Sequence, residues 1–88
     1  MITFEQYQLE VARTAKHPDP AADLLVKNAL GLAGEAGEVV ELVKKARFHG
    51  KTYEVATMCK ELGDVLWYLT DLCSEHGLSL DEVAEANV

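Results

Sequence analysis

The chain has 88 residues, of which 49% are hydrophobic, and its 15 acidic against 8 basic side chains leave a formal net charge of −7. That length suits a single small domain, residues 1–88, whose limited core needs a metal, disulfides or a partner subunit to complete it. The composition excludes a disordered chain, and the negative charge excludes nonspecific binding to a nucleic-acid polymer, although bound metal ions can reverse the local field for a small phosphate ligand.

A first helix is expected over residues 4–16, with Thr3 and Gln6 as a capping box and Phe4, Tyr7, Val11 and Ala15 on its apolar stripe. His17-Pro18-Asp19-Pro20 interrupts it, because neither proline continues a helix. Asp19 then reads as an N-cap with Pro20 at the first helical position, opening a second helix to about Arg47. Within it Gly31, Gly34 and Gly37 recur every third residue. Each costs about 0.5–1 kcal/mol relative to alanine. They serve either close helix packing or a shallow surface for a substrate, and both readings stand. Lys44, Lys45 and Arg47 complement the C-terminal end of the helix dipole.

After the turn Phe48-His49-Gly50-Lys51, a third helix is expected from Thr52, its N-cap, to His76. Its apolar stripe holds Met58, Leu62, Val65, Leu69, Leu72 and Cys73, with Glu54, Asp71 and Glu75 toward the acidic edge. Cys59 and Cys73 lie fourteen positions apart on this helix, about 21 Å, too far for a disulfide. They read as two buried thiols. Gly77 ends the helix, and Ser79 with Glu82 forms a second capping box for a short fourth helix. His17, His49 and His76 fall at helix ends or turns, where capping or solvent exposure accounts for them. Strand alternation, an apolar run of membrane-spanning length and a basic, apolar leader are all missing. An all-α, soluble, cytoplasmic protein without a membrane partner is expected.

Two stretches carry chemistry. Glu35 and Glu38 on the second helix, and Glu61 and Asp64 on the third, are each spaced i, i+3 and share one helix face. Leu32, Val39 and Leu42 flank the first pair and Val65, Tyr68 and Leu72 the second, so all four acids border the face expected to be buried, whereas Glu41 turns to solvent. Carboxylates converging in a partly dry space raise one another's pKa. A hard divalent cation, Mg²⁺ or Mn²⁺, relieves that repulsion. The plain alternative is two amphipathic helices with ordinary solvated acids.

The words around these acids are more specific than their spacing. Gly-Leu-Ala-Gly-Glu-Ala-Gly-Glu-Val-Val-Glu, then Lys-Glu-Leu-Gly-Asp-Val-Leu-Trp-Tyr-Leu, then Gly-Leu-Ser-Leu-Asp-Glu-Val-Ala-Glu-Ala-Asn resemble the MazG-like nucleoside triphosphate pyrophosphohydrolases of the all-α NTP pyrophosphatase superfamily. The likeness extends over nearly the whole chain. It implies antiparallel helices in a four-helix-bundle-like domain completed by oligomerisation, as a homodimer or homotetramer. It also implies Mg²⁺-dependent hydrolysis of a nucleoside triphosphate, first of all a dNTP, to nucleoside monophosphate and pyrophosphate.

Carried over by position, the resemblance makes Glu35, Glu38, Glu61 and Asp64 the metal ligands, with Glu35 as the candidate catalytic base. It places Tyr68 and Asn87 beside the substrate and suggests Phe4, Tyr7, His17, Lys45 and Phe48 for base recognition. Gly34 stands where one subgroup has an extra acid, which favours the MazG-type branch over the dimeric dUTPase-type branch. Relatives continue past the asparagine with a Lys/Arg-containing helix, whereas this sequence stops at Val88. Either the phosphate-binding cations come from Lys27, Lys45, Arg47, Lys51 or another subunit, or the protein works with weaker phosphate binding. A helical nucleotide-binding or protein-interaction module without turnover is the competing reading.

Overall fold

A computed structural model describes residues 1–15 and 23–88. The described residues form four helices and no strand: α1 (Phe4–Thr14), α2 (Leu24–Phe48), α3 (Val55–Glu75) and α4 (Leu80–Asn87). The helix-start signals at α1 and α4 are present as expected. Thr3 and Ser79 accept from the backbone N–H of Gln6 and Glu82, whose side chains accept from the cap residues in return.

The two long helices start later than their cap residues suggested. α2 begins at Leu24, with Asp23 accepting from Val26 N at 3.1 Å; the expected Asp19-Pro20 start lies outside the described residues. α3 begins at Val55, because the backbone stays non-helical from Lys51 to Glu54, and its N-cap Glu54 makes no side-chain cap bond. Thr52 is therefore not the cap. At the other ends, Gly50 and Gly77 take φ of 65° and 68°. This left-handed conformation, easy only for glycine, closes the helices: Lys51 N bonds Lys45 O and Leu78 N bonds Cys73 O.

α3 is the central element. It packs along α2 and against α1 and α4, and α1 also touches α4. Among the described residues α2 packs on α3 alone, so one chain is not a closed four-helix bundle. Gln8 ties α1 to the α3–α4 corner, donating to Ser74 Oγ and Leu78 O and accepting from Leu80 N.

The enclosed core is correspondingly small. Its fully buried apolar side chains among the described residues are Val11, Cys73 and Leu80. Tyr7 and Ala15 are half-buried as their stripe requires, but Phe4 and Leu62 are exposed, and so is Cys59. Both cysteines are free. α2 carries apolar residues on several sides and, among the described helices, packs on α3 alone, with Leu30, Val40 and Phe48 68%, 62% and 77% exposed. The radius of gyration, 14.9 Å, exceeds the ~12 Å of a compact chain of this length. The accessible surface of 6614 Å² exceeds by roughly 1,500 Å² the value of a compact monomer of this mass. No helix among the described residues is long and apolar enough to cross a membrane.

Candidate metal centre

α2 and α3 face each other over Gly31 and Tyr68. A methyl group at Gly31 would come within 2.6 Å of Tyr68 Cζ, so the absence of a Cβ there lets the ring lie against the α2 backbone. Gly34 and Gly37 have open space around them. Of the two readings of the glycine series, close packing therefore holds at Gly31, and the other two leave a shallow surface.

One turn beyond this contact the acids gather. Glu35, Glu61 and Asp64 each present a carboxylate oxygen within 4.8 Å of the other two. Glu35 and Glu61 are half-buried. Partial burial first, then the charges of Asp64, Glu61 and Glu38, push the Glu35 carboxyl above its ordinary value. Glu38 is exposed, outside the group of three, yet close enough to act on Glu35. Glu41 faces solvent as expected, 3.7 Å from Lys44.

A hollow of about 310 Å³ adjoins the acids, lined by Glu35, Asp64, Trp67 and Tyr68. Trp67 and Tyr68 meet edge to face, with ring centroids 5.3 Å apart. α1 reaches the same region through Tyr7, whose hydroxyl is held above its ordinary pKa by burial and then by the Asp64 charge. Tyr7 and Tyr68 thus join the acids in space. Phe4 sits one turn before Tyr7, exposed. Lys45 and Phe48 lie ten and thirteen residues past Glu35 on α2, about 15 and 20 Å along the axis, and are not brought to the acids of their own chain. Asn87 is exposed at the end of α4. His17 lies outside the described residues. His49 and His76 are exposed helix C-caps, and the His76 Nδ1 lies 2.8 Å from Leu72 O.

Sequence reasoning did not single out Trp67 as a lining residue. Its place three residues after Asp64 on the same face was the available signal. It also missed Asn28, a buried side chain hydrogen-bonded to Asp71.

The donor set suits a hard divalent cation. All three donors are carboxylate oxygens, gathered from two helices, and their mutual repulsion is what such an ion relieves. The chain is 31% identical over 91 residues to the Gene 37 protein of Mycobacterium phage L5, an alignment covering 93% of this chain and 79% of that protein. No solved structure matches. The family model of the MazG nucleotide pyrophosphohydrolase domain matches residues 25–88, which takes in α2 from its second residue, α3, α4 and the whole acidic group, and the chain belongs to that family of hydrolase domains.

Proposed function

We propose that this protein hydrolyses a nucleoside triphosphate, with a dNTP as the first candidate, between the α- and β-phosphates, releasing a nucleoside monophosphate and pyrophosphate in a Mg²⁺-dependent reaction. The observation that carries this reading is the convergence of Glu35, Glu61 and Asp64 from facing helices beside the Trp67–Tyr68 hollow. In this reading the three carboxylates hold Mg²⁺, or Mn²⁺ in its place, and Glu38 at their edge completes the ligand set. When bound, the ion neutralises phosphate charge and makes a coordinated water more acidic.

Glu35 orients the attacking water and takes its proton. Tyr68 and Tyr7 border the space beside the acids and contact the substrate there; Phe4, His17 and Asn87 enter this reading as further substrate contacts on the resemblance alone. Lys45 and Phe48, too distant in their own chain, serve the pocket of a second subunit. The exposed apolar residues of α2 support such a homodimer or homotetramer. The whole chain, 1–88, acts as one catalytic unit in the cytoplasm.

The test is release of pyrophosphate from a panel of ribo- and deoxyribonucleoside triphosphates with Mg²⁺ and with EDTA. Mg²⁺-dependent pyrophosphate and monophosphate in equal amounts are expected. Release of inorganic phosphate, or nucleotide binding with no turnover of any member of the panel, would overturn the reading.

A further inference from the structure

Asn28 and Asp71 are 1% and 4% exposed, among the most buried polar residues of the protein. Asn28 Nδ2 donates to Asp71 Oδ2 at 2.8 Å, across the α2–α3 contact. Turning the amide over would aim Oδ1 at the carboxylate, so the orientation follows from the acceptor. Asn28 Oδ1 is itself buried without a hydrogen-bond partner. A buried amide with one unsatisfied atom is a poor device for stability alone, whereas a buried polar pair is a good device for choosing one alignment of two helices.

The alignment it chooses is the one that assembles the acids. From Asn28 to Gly31 to Glu35, α2 advances by three and then four residues. The facing residues of α3, Asp71, Tyr68 and Asp64, retreat by the same steps. The hydrogen bond, the glycine contact and the carboxylate group are thus three rungs of one antiparallel ladder. The aliphatic and small residues between α2 and α3 recur about every turn and discriminate weakly between registers. A slip of four residues would set Asp71 against Leu24 or Leu32, away from the amide, and Glu35 against Lys60 or Tyr68 instead of Asp64.

We propose that the Asn28–Asp71 hydrogen bond is a register pin for the metal centre, with Asn28 and Asp71 as positioning residues two turns away from the acids. The proposal rests on reading Glu35, Glu61 and Asp64 as the metal-holding group. The variant is Asn28→Leu, which keeps the branching at Cγ but removes donor and acceptor, studied with two probes. Nuclear Overhauser effects between Gly31 Hα and the Tyr68 ring protons report the register without any metal. Calorimetric titration with Mn²⁺, in the absence of nucleotide, reports the site.

Asn28→Leu should remain helical, lose the Gly31–Tyr68 effects and bind Mn²⁺ about tenfold more weakly or worse. A general loss of stability would lower the melting temperature without moving either signal in the folded protein. Retention of both signals at the wild-type level would overturn the proposal. If the wild-type protein shows the Gly31–Tyr68 effects but binds no Mn²⁺, the metal reading fails, and the register claim is decided by the effect of Asn28→Leu on those signals. Should Asn28→Leu not fold, Asn28→Ala is read with the same two probes.

Discussion

Gly31 lies against the ring of Tyr68: a Cβ on the glycine would fall far inside van der Waals distance of the ring carbons, 2.6 Å from Cζ. This one contact brings two helices to the separation at which their acids meet.

Gly31→Ala should therefore destabilise the protein by about 1–2 kcal/mol, because overpacking of 1–3 kcal/mol outweighs the gain in helix propensity. Gly34→Ala and Gly37→Ala, with open space around them, should each stabilise it by about 0.5–1 kcal/mol. Urea denaturation of the three variants at one protein concentration checks the opposite signs.

Asp64→Asn should leave the fold intact and cut pyrophosphate release about a hundredfold or more, the scale of losing one preorganised electrostatic partner. An amide is a weaker ligand than a carboxylate for a hard ion. Removing this charge also relieves Glu35, so the metal-free melting temperature should hold or rise. Wild-type turnover in this variant would refute the assignment of Asp64 to the metal.

Mg²⁺ should raise the melting temperature, because an ion that binds only the gathered carboxylates stabilises the native state. At about 100 times its dissociation constant the stabilisation is about 2.7 kcal/mol. Thermal scans with Mg²⁺ and then excess EDTA should move in opposite directions. Superimposable curves would count against the site.

In EDTA, stability should depend on pH through Glu35. Its carboxyl is raised in the folded state above the ordinary 4.5, so the native protein holds this proton to higher pH than the unfolded chain. The corresponding stability is fully present below the unfolded value and is lost as pH rises through the folded one. Melting temperatures from acid to neutral pH should fall over that window in the wild type relative to Glu35→Gln. Parallel curves would show that neither burial nor the neighbouring charges raise the Glu35 carboxyl.

The protein should sediment as a dimer or tetramer of its 9.7 kDa chain. The roughly 1,500 Å² of surface beyond that of a compact monomer is on the scale each subunit of an obligate homodimer buries. Val40→Asp, on the exposed side of α2, should weaken the assembly. A fully active wild-type monomer at micromolar concentration would exclude it.

The four helices, both capping boxes, the glycine stop at Gly77 and the i, i+3 acid pairs are legible in the sequence. Each of these is a local property: a side chain meeting a backbone group three residues away, a φ open only to glycine, a rotation of about 100° per residue. The start of α3 was read less well: Thr52 has the usual N-cap chemistry, but the backbone stays non-helical through Glu54, which makes no side-chain cap bond. Only the tertiary structure decided that Glu38 stands outside the group formed by Glu35, Glu61 and Asp64. It alone set Gly31, and not Gly34 or Gly37, under an aromatic ring, and made Asn28 and Asp71 a buried pair. These facts depend on the register and rotation of α3 against α2. Periodicity names the face a residue occupies but not the residue it will meet, because helices with similar stripes can pair in several alignments, and side-chain contacts between them select one.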